Sequence, residues 1–106
     1  MGPVPLSARF ETRAAGSYAV SGPLTFDTVT AVWPQGVAAL RDAGPVSIDL
    51  AAVSHTDSAG LALLVEWLRA AQASGARIAF RAPPAQMLQL AEACHLDTLI
   101  RRYTAV

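Results

Sequence analysis

The chain has 106 residues, 53% hydrophobic and 15% charged, with eight acidic and eight basic side chains and no net charge. That length fits one domain over residues 1–106 with a real core, and the lack of any basic run argues against nucleic-acid binding through phosphates. A mean hydropathy of +0.36 is high for a small domain and implies a surface that is normally covered.

The first seven residues, Met1 to Ser7, read as a loose end, without the basic stretch and apolar run of an export signal. Arg9 to Arg13 alternates weakly, Ala14-Ala15-Gly16 reads as a turn, and Tyr18 and Val20 mark a second strand closed by Ser21-Gly22-Pro23. Together they predict an N-terminal hairpin. From Leu24 to Leu40 the signals are mixed. Thr25 or Asp27 is a candidate cap, and Val29, Val32, Trp33, Val37 and Leu40 fit one helical face, with Pro34 inside the pattern. A proline there removes a hydrogen bond at a cost of about 3 kcal/mol, so a kinked helix or two short ones is expected.

Pro45 opens the central stretch. Val46, Ile48 and Leu50 alternate with Ser47 and Asp49, predicting a buried strand, followed by a short polar crossing anchored by Val53. Asp57 and Ser58 then stand where a helix takes its N-cap. Leu61, Leu64, Val65, Leu68 and Ala71 form one apolar row of that helix, and Leu63, Trp67 and Ala70 form a second. A helix apolar nearly all round is either sandwiched or docked on a partner, and the partner reading is preferred for Trp67. Ser74-Gly75 ends the helix. Ile78 and Phe80 mark another strand, joined to the first as parallel neighbours through a right-handed crossover. Pro84 opens a further helix with Met87, Leu90, Ala91 and Cys94 as its buried stripe, and His95 closes it. Leu96, Leu99 and Ile100 are expected to pack back on the core, and Arg101 to Val106 to form a frayed strand or tail.

The chemistry-bearing residues are few. The single Cys94 excludes an internal disulfide, supplies no metal-ligand set, and reads as a small core residue. Ser58, Asp57 and either His55 or His95 do not make a triad, because Asp57 and Ser58 are adjacent and diverge, and no G-x-S-x-G elbow is present. No Walker-type loop occurs. The expectation is a non-enzyme with no catalytic residue, no metal and no cofactor. No apolar run is long enough to span a bilayer, so the expected place is the cytoplasm, with membrane contact only through a partner.

The stretch VSIDLAAVSHTDSAGLALLVEWLRAAQASGARIAF, with Asp57-Ser58-Ala59-Gly60-Leu61 at its helix start, resembles the STAS domain family. VSGPLTFDTVTAVW, from Val20 to Trp33, is a second match, and the resemblance covers roughly Tyr18 to Ile100. It implies an α/β fold with a small mixed sheet of about four strands and helices packed on it. The family includes the small cytoplasmic subunit of the phospholipid ABC transporter that maintains outer-membrane lipid asymmetry, and the anti-anti-sigma factors. Similarity to the first branch implies a non-catalytic subunit that binds and regulates the ATPase subunit, with the permease in the same complex. Similarity to the second implies an anti-sigma-factor antagonist whose partner is a kinase-like anti-sigma factor and whose Ser58 is phosphorylated. Trp33 and the Gly60–Leu64 run favour the transporter branch; Ser58, where that branch often has Thr, favours the other. The expected contact surface is His55 at the rim, Asp57, Ser58, Ala59 and Gly60 at the tip, and Ala62, Leu63, Glu66 and Trp67 along the helix. A phosphate on Ser58 would sit in the positive end of the helix dipole and repel a docked partner.

Overall fold

The computed structural model describes residues 7–42 and 44–105. Apart from Ser7, the stretch expected to be a loose end lies outside the described residues. Five strands form one sheet in the order β1-β2-β3-β4-β5. β1 (Arg9–Ala14) and β2 (Ser17–Leu24) make the expected antiparallel hairpin, and β2 lies parallel to β3 (Val46–Thr56). β4 (Ile78–Arg81) and β5 (Thr104–Ala105) continue the sheet in parallel, so it is mixed. The tail expected to be frayed supplies the last, two-residue strand.

The helices are α1 (Val29–Leu40), α2 (Ser58–Ser74), α3 (Ala85–Ala93) and α4 (Asp97–Arg102). α1 connects β2 to β3 and α2 connects β3 to β4, each joining parallel neighbours through a helix as such pairs require. Val20, Ile48, Leu50 and Phe80 from the strands meet Val32, Leu64, Leu68, Met87 and Ile100 from the helices in one core. The core draws on one face of the sheet. The opposite face carries Glu11, Arg13, Ser47, Asp49 and Arg81. No described helix is long and apolar enough to cross a membrane.

Two local expectations are corrected, and for α1 the reading as two short helices is excluded. The polar crossing is strand: β3 continues to Thr56, and β2 runs on through Gly22 and Pro23 beside it. Its alternation was hidden by two register shifts against β2, one between Ala19 and Ser21 and one between Gly22 and Leu24. Each adds a residue on the β3 side, so Ala51-Ala52 and Ser54-His55 are exposed pairs between the buried Leu50, Val53 and Thr56. α1 runs from Val29 to Leu40 with Pro34 inside it, not as two short helices. Pro34 leaves the Thr30 carbonyl without its usual donor, and packing of Val32, Gly36 and Leu40 beneath the helix offsets the loss. Cys94 is exposed at the end of α3, because the helix closes there with His95 at φ 58°. His95 N–H donates to Glu92 at 3.1 Å and Leu96 N–H to Ala91 at 2.7 Å, a Schellman closure.

The largest correction concerns Trp67. It is 0% exposed, covered by α1 and not left for a partner. Its indole lies against Gly36, and its Nε1–H donates to the Trp33 carbonyl at 3.1 Å. Phe10 meets it edge-on from β1 with centroids 5.9 Å apart. Only glycine lets the helices approach this closely, since a methyl at 36 would overlap the indole ring. Leu63 is likewise buried.

Gly36→Ala is therefore expected to lower the melting temperature by roughly 5–15 °C through overpacking. Calorimetry of the two proteins tests it. An unchanged midpoint would mean that α1 does not sit on Trp67 as described.

Candidate functional site

The end of β2, the end of β3 and the start of α2 converge on one corner of the molecule. Thr56, the last residue of β3, is buried, with its hydroxyl and its N–H both bonded. Its hydroxyl donates to the Leu24 carbonyl at 2.9 Å, and its N–H donates to Gln86 Oε1 of α3 at 3.0 Å. Thr28 is buried beside it. Its hydroxyl donates to the Pro23 carbonyl at 2.7 Å and accepts from the Thr25 N–H at 2.9 Å. Burying these hydroxyls is tolerable because each is satisfied.

Asp57 is the N-cap of α2. Its Oδ1 accepts from the Ala59 N–H at 2.9 Å and the Gly60 N–H at 3.4 Å. Its Oδ2 accepts from the Phe26 N–H at 3.1 Å. One carboxylate thus satisfies two orphan donors of α2 and pins the loop between β2 and α1. Gly60 is buried directly beneath, where a Cβ would meet the Leu24 carbonyl and the Thr56 hydroxyl. It permits a close approach and is not on the surface of the tip, contrary to the sequence expectation.

Because Asp57 does the capping, Ser58 is free. It is the first residue of α2, it is exposed, and its hydroxyl has no hydrogen-bond partner among the described residues. His55 is exposed nearby, two residues before the cap. One residue on, at Ala59, a groove opens between α1 and α2, lined by Val29, Thr30 and Trp33 on one side and by Ala59, Ala62, Leu63 and Glu66 on the other. Leu63 is buried, while Ala62 and Glu66 are exposed. Glu66 is the one charged group in the lining, and it pairs with Arg69 at 3.4 Å. The expected residues therefore divide: Ala59, Ala62, Leu63 and Glu66 line the groove, His55, Asp57 and Ser58 precede it in sequence, and Gly60 and Trp67 are buried.

Trp33, on the opposite wall, and Phe26, in the loop before α1, were missed as contact residues. Phe26 is 79% exposed and Trp33 46% exposed, the two exposed large hydrophobic side chains among the described residues. The pattern contained a signal for Trp33. Val32, Gly36 and Leu40 repeat at four-residue spacing and are buried, so Val29, Trp33 and Val37 form the adjacent row. Phe26 had no such signal, since its outward position depends on the bond from its N–H to Asp57.

Nothing in this arrangement resembles a catalytic constellation, as no described base faces the Ser58 hydroxyl within hydrogen-bond reach. Its chemistry is that of a contact surface: two aromatic side chains, an apolar groove and a free hydroxyl at the positive end of a helix. Asp57→Ala should cost about 1–2 kcal/mol from the lost cap. It should also release the Phe26 amide, read as faster hydrogen exchange there than in the core strands. Unchanged exchange at Phe26 would contradict the double role of the carboxylate.

The backbone that carries this corner has known counterparts. An anti-sigma-factor antagonist (STAS) domain protein from Planctomyces limnophilus superposes with a TM-score of 0.66, 21% identity, and coverage of 88% of this chain and 86% of that one. SpoIIAA, the Bacillus cell fate determinant, in its phosphorylated form gives a TM-score of 0.67 at 16% identity, covering 92% and 88%. The murine Solute Carrier 26 family member A9 anion transporter gives 0.67 at 19% identity, with 88% of this chain matched to 16% of that protein. At these identities the likeness is one of fold. No curated protein matches the sequence significantly. The family model described as "Mlab, STAS domain" matches residues 8–101, nearly the whole length, and the chain belongs to the STAS domain family.

Proposed function

We propose that this STAS domain is a non-catalytic subunit that docks on the ATPase subunit of a phospholipid ABC transporter through the Ser58 tip and the groove between α1 and α2. The observation that carries the reading is an apolar groove walled by the exposed Trp33 and by α2 from Ala59 onward, next in sequence to the free Ser58 hydroxyl, with a second exposed aromatic, Phe26, in the loop before α1. Surfaces of this composition gain from being covered, with aromatic side chains as the anchors. The Mlab description of the matching family model supports the transporter branch, as does Trp33 on the groove wall. In this reading the protein sits in the cytoplasm, held at the inner membrane by its partner and the permease. ATP hydrolysis belongs to the ATPase subunit. The STAS domain orients or stabilises that subunit.

A second reading is favoured by one observation, the exposure of Ser58 while Asp57 takes the cap. A kinase needs a hydroxyl that no structural bond occupies. Phosphorylation would add nearly two negative charges beside the Asp57 carboxylate, making the domain an antagonist of a kinase-like anti-sigma factor.

The transporter reading predicts that Ser58→Thr binds the ATPase subunit like wild type while Ser58→Asp does not. Phe26→Ala and Trp33→Ala should each weaken binding about tenfold or more, as truncated aromatic anchors do. Co-purification and titration of the isolated subunits measure both. Undiminished binding by Ser58→Asp and by both alanine variants would place the contact elsewhere. A phosphopeptide spanning Ser58 in the cellular protein, with a histidine-kinase-like protein captured by the unmodified form, would favour the second reading.

A further inference from the structure

The far end of β3 holds a different kind of surface, on the sheet face that the helices leave bare. There the chain makes a depression lined by Gly16, Ser17, Pro45, Ser47, Ala79, Arg77 and Arg81, together with adjoining backbone. Register explains its shape. Ser17 pairs with Ser47, and Ser47 with Ala79, so three small side chains lie abreast on neighbouring strands. Arg81 stands two residues after Ala79 on the same face of β4, and Arg77, immediately before the strand, also lines the depression. Small residues form the floor, and two guanidinium groups flank it.

The charges around it are unbalanced. Arg77 and Arg81 are both exposed, and neither has an ion-pair partner among the described residues. Asp49, the register neighbour of Arg81, is the acidic group beside the depression. Its two oxygens are already engaged. Oδ2 accepts from Arg13 at 2.9 Å, and Oδ1 accepts from the Ala51 N–H at 2.9 Å. Arg13 balances Asp49, so Arg77 and Arg81 leave positive charge beside the hydroxyls of Ser17 and Ser47. Neither hydroxyl has a side-chain hydrogen bond among those of the described residues. Guanidinium forks and hydroxyl donors around a shallow floor suit a tetrahedral oxyanion.

We propose that this depression binds a phosphate group, with Arg77 and Arg81 as the charged clamps and Ser17 and Ser47 as hydroxyl donors. It goes beyond the partner-docking reading and is independent of it, since the Ser58 tip lies at the other end of β3 on the helix-covered side. The phosphate comes either from a free phosphorylated small molecule or from an anionic lipid headgroup. The face offers no exposed large hydrophobic side chain among the described residues, as Phe26 and Trp33 both lie elsewhere. In either case recognition is of the phosphate and not of an acyl chain.

Two titrations of the full chain test it. Inorganic phosphate, against sodium chloride at matched ionic strength, should shift the amide resonances of Ser47 and Ala79 saturably. In Arg77→Gln/Arg81→Gln, with its melting temperature first shown to be unchanged, the midpoint should rise about tenfold or more, as expected when charge-assisted bonds are lost. Flotation with phosphatidylglycerol vesicles but not phosphatidylcholine vesicles, abolished in the double variant, would identify a lipid headgroup. Saturable phosphate binding without flotation would identify a free phosphorylated ligand. No saturable shift and no flotation would overturn the proposal, as would equal midpoints in the two proteins. Ser58→Asp should leave both titrations unchanged, so failure of the docking reading and failure of this one are separable.

Discussion

The Asp57 carboxylate is the interaction on which the functional corner depends. It caps α2 and holds the Phe26 amide at the same time. Without it, the first turn of the longest helix loses an acceptor, and the loop that leads into α1 loses its tether. Thr56 and Gly60 complete the joint. The Thr56 hydroxyl bonds the Leu24 carbonyl, and the absence of a side chain at Gly60 lets α2 rest on that carbonyl. Three neighbouring residue types thus have three separate physical tasks. Ser58, between them, has none in the fold, which leaves its hydroxyl available for a partner or a modifying enzyme.

A second constraint shapes the groove. Trp67 is large, and it is accommodated because α1 presents Gly36 to it. The indole fills the space between the helices, and its N–H is satisfied by the Trp33 carbonyl. Seating α1 in this way turns Val32 and Leu40 inward and leaves Val29 and Trp33 on the rim. The interhelix groove and its exposed aromatic wall therefore follow from the packing beneath them.

The sheet separates two kinds of surface. On one face the strands are sealed by helices, and the apolar character of the chain is spent there. On the other, small residues alternate with arginines and carboxylates. Sequence neighbours such as Ile48 and Asp49 belong to different faces because successive strand residues alternate. The helical corner and the bare face can consequently serve different ligands without sharing a residue.

Periodicity by itself determined the hairpin, the buried start of β3, the extent of α2 and the Gly75 stop, because each follows from local spacing or from one backbone conformation. Gly75 has φ 72° and closes α2 through its bond and that of Ala76 to Ala71. The Asp-Ser-x-Gly segment was legible as a helix start for the same reason, and the family resemblance reached the STAS fold from it. Local pattern failed where neighbours in space decide. The bulges of β3 broke the alternation, so strand read as crossing. Trp67 and Leu63 looked unpartnered because their cover comes from α1, about thirty residues away in sequence. Cys94 matched a buried stripe, but the helix ended at the residue itself. Which apolar row of α1 faces inward, which residue at the tip is spare and where Phe26 points were settled by tertiary contacts. Hydrophobic spacing specifies that a face is buried, and only the packed structure specifies what buries it.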